Sequence, residues 1–190
     1  MHDDVTIAAT VVALAGRRVD AVGTHPPRFP PESIPVVRKR LAELFTELRV
    51  VTLICSAACG ADLIALEEAE RLGLRFRIVL PFPPERFRET SVLDRPGAWG
   101  PVFDRLIAAA SASNDLIVLN GTTGDDETAY AAANEAIVRE ALALSKVGVP
   151  LRRLAVVVWE GSARSGSDAT ESFRRSTKAA GFEERSVATL

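Results

Sequence analysis

A chain of 190 residues, 47% hydrophobic and 25% charged, is long enough to bury one full core and reads as an ordinary globular domain. A net charge of −2 excludes a broad basic field of the kind that holds nucleic acid or anionic lipid. Met1 opens no charged-then-apolar leader and no apolar run reaches transmembrane length, so a single cytosolic domain over residues 1–190 is expected, with 1–10 loosely ordered and no membrane partner.

Val11 to Ala15 is a short apolar run closed by Gly16-Arg17-Arg18, the pattern of a first strand. The stretch from Gly23 to Pro35 carries Pro26, Pro27, Pro30 and Pro31 and excludes regular structure across its length. A helix then opens at Glu32 or Ser33, with Val37, Leu41, Leu44, Phe45 and Leu48 at helical period. Val51 to Cys55 is a second strand. Gly60 to Leu72 is a second helix, with Leu63, Leu66, Ala69 and Leu72 on one face and Gly73 as its stop. Phe76 to Leu80 is a third strand, followed by Pro81-Phe82-Pro83-Pro84 and a polar segment, Glu85 to Ser91, that suits a loop or a short helix.

Trp99 to Ser111 reads as a helix, Asp115 to Leu119 as a fourth strand, and Asn120 to Glu127 as a small polar loop. Thr128 to Leu144 is a long helix rich in Ala, Glu and Leu. Leu154 to Trp159 is a fifth strand, and a Gly/Ser-rich loop from Gly161 to Ser167 follows it. A last helix, Ala169 to Ala180, stops at Gly181, and Glu184 to Val187 suits an edge strand. Strands two to five are continuous apolar runs, which implies burial on both faces. The expected fold is therefore α/β: a three-layer, Rossmann-like fold whose mostly parallel, doubly wound sheet of five to six strands is flanked by helices. Ligands of such sheets bind beyond the carboxyl ends of the strands.

The loops at that rim carry the chain's small and polar residues. The turn Ser56-Ala57-Ala58-Cys59-Gly60 lets a guest approach the main chain, and the helix it opens offers N–H groups to an anion, a phosphate above all. The plainer reading is tight packing at Gly60 and Ala57-Ala58. Arg17 and Arg18, after Gly16, and Arg86 are candidate phosphate forks or solvated surface charges. Asp62 either stabilises its helix N-terminus or binds ribose hydroxyls. Asn120, Gly121 and Thr122 are candidate sugar or base contacts. Asp125 or Asp126 suits a helix N-cap. Tyr130 and Asn134 share a helix face, which either lines the cleft or packs away from it. Cys55 and Cys59, with only His2 and His25 as imidazoles, do not make a zinc set, and no metal or cofactor is implied. Cys59 stands near a helix N-terminus, where a thiol pKa can fall; a small residue chosen for fit is the plainer reading. Dinucleotide, Walker and nucleophile-elbow motifs are missing.

The order Gly16-Arg17-Arg18-x-Asp20, Pro-Pro-Arg-Phe-Pro at 26–30, Ser-Ala-Ala-Cys-Gly-Ala-Asp at 56–62, Leu-Pro-Phe at 80–82, Phe-Arg-Glu-Thr-Ser-Val at 87–92 and the Tyr130/Asn134 helix resembles the SLOG superfamily. That group includes the Lonely Guy phosphoribohydrolases, the DNA-processing protein A fold and domains proposed to bind nucleotide-derived signals for an effector. The resemblance implies a ribonucleotide-type ligand with the Ser56–Gly60 turn against its phosphate or ribose, room for a separately encoded effector, and a homodimer for which Thr128 to Leu144 is the candidate contact. The phosphoribohydrolases carry Pro-Gly-Gly-x-Gly-Thr-x-x-Glu after strand four, which the loop from Asn120 to Glu127 lacks. Binding or sensing of a nucleotide-derived signal is thus the leading expectation. N-glycosidic hydrolysis, with Glu127 or Asp126 as the catalytic carboxylate, is the alternative. An accessory role on nucleic acid comes third, against the acidic charge balance.

Overall fold

The computed structural model of the chain describes residues 8–119, 125–145 and 151–190. Six strands, β1 (Thr10–Gly16), β2 (Val50–Cys55), β3 (Arg75–Leu80), β4 (Leu116–Val118), β5 (Arg152–Trp159) and β6 (Glu183–Ala188), form one sheet in the order β4-β3-β2-β1-β5-β6. Every neighbouring pair is parallel. The connecting helices are α1 (Ile34–Glu47), α2 (Ala61–Arg71), α3 (Pro84–Ser91), α4 (Trp99–Ala112), α5 (Asp126–Leu144) and α6 (Ala169–Ala179).

Strand side chains alternate between two cores, as the pleat requires. Val12, Leu14, Leu53 and Leu80 face Leu41 and Phe45 of α1, Leu63 and Leu66 of α2, and Phe103 and Leu106 of α4. Val11, Ala13, Ile54, Val79 and Val157 face Ala133, Ala136 and Ile137 of α5 and Phe173 of α6. The layering is therefore α1, α2 and α4, then sheet, then α5 and α6: a Rossmann-like, doubly wound α/β architecture. No helix among the described residues is long and apolar enough to cross a membrane.

This topology places the site. After β1, β2 and β3 the chain leaves toward one face, and after β4 and β5 toward the other. β1 and β5 are neighbours whose connections leave toward opposite faces, so the switch point of the sheet lies between their carboxyl ends, beside the β2 turn. The segment that suited a loop or a short helix is α3, started by prolines and pinned by the fully buried Phe87. Helix α5 begins two residues earlier than its apolar pattern suggests. Asp125 is its N-cap and accepts hydrogen bonds from the Thr128 N–H and hydroxyl at 2.9 and 2.8 Å. The outward stripe of α5, Ala131, Glu135, Arg139 and Ala143, exposes no apolar side chain larger than alanine, although this helix is the expected dimer contact.

Candidate functional site

A cavity of about 690 Å³ opens at the carboxyl rim. Its walls come from the end of β1 (Leu14 to Arg18), the β2 turn and α2 (Ser56, Ala58, Asp62), α3 (Phe87, Ser91), α5 (Asp126, Glu127, Tyr130, Asn134) and the loop and first turns after β5 (Ala163 to Ser172). Candidate residues from three separate stretches of sequence, Gly16 to Arg18, Ser56 to Asp62 and Asp126 to Asn134, thus meet around one space. Asn120, Gly121 and Thr122 lie outside the described residues.

Arg17, expected as a phosphate fork, is committed to the chain itself. It is 3% exposed, and its guanidinium donates to Glu160 at 2.8 Å, to both Asp168 oxygens at 2.7 and 2.9 Å, and to the Ser162 carbonyl at 2.8 Å. Arg28 pairs with the same Glu160. Burial pushes the Asp168 carboxyl up, but hydrogen bonds from Arg17 and the Arg164 and Glu171 main chain outweigh it and hold the pKa at about 2. This network ties the end of β1 to the residues after β5, and two of its members, Arg17 and Asp168, line the cavity. Arg18 pairs with Asp94 at 2.6 Å and reaches the Thr90 carbonyl.

The small-residue corner also binds its own chain. The Cys59 N–H donates to the Ser91 carbonyl, the Ala61 N–H to the Arg17 carbonyl, and the Ala58 N–H to an Asp62 oxygen at 3.2 Å. Gly60 sits at φ 107°, where a Cβ would stand 2.7 Å from the Val19 nitrogen and 2.8 Å from the Arg17 oxygen, so glycine is required for packing. Two groups in this corner remain open to a guest. The Ser56 Oγ is buried with no hydrogen-bond partner among the described residues. Asp62 is 7% exposed, lines the cavity, and its second oxygen has no partner among the described residues. Burial pushes its carboxyl up to about 7, against the pull of the Ala58 hydrogen bond and of Arg18.

Neither thiol is activated. Burial, with Asp62 nearby, holds Cys55 well above the usual range, and burial pushes Cys59 up to about 12, opposite to the fall that a helix N-terminus allows.

Tyr130 and Asn134 both face the cavity, yet each is also anchored. The Tyr130 hydroxyl lies 2.6 Å from the Ser91 Oγ, and its ring packs edge-on against Phe82 at 5.6 Å and Phe87 at 6.5 Å. The Asn134 amide donates to the Ala169 carbonyl at 3.0 Å, tying α5 to α6. Arg86 bridges from α3 to Asp126 at 2.6 Å and lies over the Phe82 ring at 3.9 Å. Asp126 is thereby engaged, whereas Glu127 lines the cavity, exposed. Ala57 is buried in the turn and is not part of the wall.

One residue that the sequence reading passed over is Arg164, the only charged residue in the Gly161–Ser167 loop. It lines the cavity, and no carboxylate pairs with its guanidinium among the described residues. Partial burial, with Arg17 and Arg28 nearby, holds its pKa below the usual arginine value. A cation so placed favours an incoming anion. The signal was its position on the rim, obscured by a loop whose composition suggests only flexibility.

No family model matches the chain, and no curated protein matches it. Among solved structures it is similar to DNA processing protein A (DprA) from Streptococcus pneumoniae, at 13% identity and a TM-score of 0.43, over 95% of this chain and 59% of that one. The chain therefore spans less than two thirds of that protein's length.

Proposed function

We propose that this chain binds a nucleotide or nucleotide-derived signal, a compound carrying both phosphate and ribose, at the carboxyl rim of its sheet. The observation that carries the reading is one cavity lined by three groups without a partner among the described residues: the Arg164 guanidinium, the Ser56 hydroxyl and the second Asp62 oxygen. A ligand with anionic and hydroxylic ends complements that set. The SLOG-like order of residues around Ser56 to Asp62 points the same way.

The test is calorimetric titration with AMP, ADP and ADP-ribose. At least one is expected to bind, and Arg164→Ala is expected to weaken it by about 10-fold or more, the loss of one charge-assisted hydrogen bond. Absence of heat with all three would remove the reading. Gly60 and Arg17 are unsuitable for this purpose, because substitution there disturbs the β1 and α2 junction itself.

N-glycosidic hydrolysis is favoured by one observation: a cavity carboxyl, Asp62, whose pKa of about 7 suits a general acid near neutral pH. Glu127 and Asp126 are less suited, one exposed and the other paired with Arg86. Free base released from AMP, and lost in Asp62→Asn, would support hydrolysis; no release at high protein concentration would leave binding alone.

A further inference from the structure

Resting on the ligand class proposed above, we infer that Asp62 and Ser56 together read hydroxyl groups of the ligand's sugar. The cavity then takes ribosyl compounds in preference to their deoxy counterparts, with the sugar toward β2 and the phosphate toward the loop between β5 and α6.

The Ser56 hydroxyl is buried and carries no hydrogen bond among the described residues, at a desolvation cost. In the same corner of the cavity wall, one oxygen of Asp62, a residue 7% exposed, has no protein partner among the described residues. Phosphate is the wrong guest for that corner. A carboxylate repels it, and three main-chain donors of the turn, at Ala58, Cys59 and Ala61, are already spent within the chain. A carboxylate beside a hydroxyl calls for a neutral hydrogen-bond donor, and a sugar hydroxyl is one. An Asp carboxylate holds enough lone pairs to accept a ligand hydroxyl while keeping the Ala58 bond.

The phosphate then belongs where a cation lacks a counter-ion. Arg164 follows β5, and Asp62 follows β2, with β1 between these two strands. At the usual strand spacing the two walls stand roughly 10 Å apart. The ligand's two ends are thereby separated by the width of one strand on either side of β1. A deoxy ligand would leave the Asp62 oxygen unpaired, and sites built to hydrogen-bond a hydroxyl reject analogues that lack it.

The experiment is calorimetry at pH 8, where Asp62 is largely ionised, with AMP, ADP and their 2′-deoxy and 3′-deoxy counterparts, on the wild-type chain and on Asp62→Asn. Asparagine keeps an acceptor for the Ala58 N–H, and circular dichroism checks that the variant is folded. In the wild type, the ribonucleotide is expected to bind about 10-fold or more tightly than at least one of its deoxy counterparts. In Asp62→Asn that ratio should shrink to about twofold while binding persists. Equal affinities in the wild type, or a ratio that survives the substitution, would overturn the inference while leaving nucleotide binding standing. No binding by any of the six would overturn both.

Discussion

At Asp62, burial costs stability for as long as no ligand is present. Its folded carboxyl titrates at about 7 against 3.8 for an ordinary aspartate. Between those values the folded chain holds a proton that the unfolded chain has released, so stability falls as pH rises through that window. The full penalty, at most about 4 kcal/mol, is present above pH 7. Asp62→Asn removes the titration. Urea denaturation should show the variant more stable than wild type at pH 8 and nearly equal at pH 4. Parallel stability curves for the two proteins across that range would contradict this account of the carboxyl. A group that destabilises the empty protein fits a binding role, since functional sites commonly trade stability for complementarity.

Among the elements, the junction of β1, β5 and α6 depends most on one side chain. Arg17 ties the end of β1 to Glu160 after β5 and to Asp168, the N-cap of α6, all three less than 8% exposed. Removing the guanidinium leaves the buried Asp168 carboxylate without its cation and Glu160 with Arg28 alone, so Arg17→Met should cost about 3–5 kcal/mol, read by chemical denaturation. A loss below about 1 kcal/mol would mean that the network is not structural. This strut was not legible in the sequence, because Asp168 lies 151 positions away and only the adjacency of β1 and β5 brings it near. The strands themselves were legible: short, mostly apolar runs such as Val51 to Cys55 and Leu154 to Trp159, alternating with helical patterns, suit a sheet covered on both faces. The helical state of Pro84–Ser91 was open because its single core anchor, Phe87, gives too little period to read.

For the molecule as a whole, the sequence pointed to the carboxyl rim where the cavity opens and to residues on three of its walls, but not to which of them the folded chain already engages. Gly60, Ala57 and Arg17 are engaged in packing or ion pairs, and Arg86 links α3 to α5; among the described residues the Ser56 hydroxyl, one Asp62 oxygen and the Arg164 guanidinium have no such partner, and the proposal gives these to a guest. That division depends on which hydrogen bonds the folded chain has already made, and no pattern of residue types records it. The most direct measurement is a crystal structure of the chain grown with AMP. The account predicts the phosphate within hydrogen-bonding distance of Arg164 and a ribose hydroxyl on Asp62. An AMP molecule seated away from the cavity, or a phosphate against the Ser56–Gly60 turn, would contradict it.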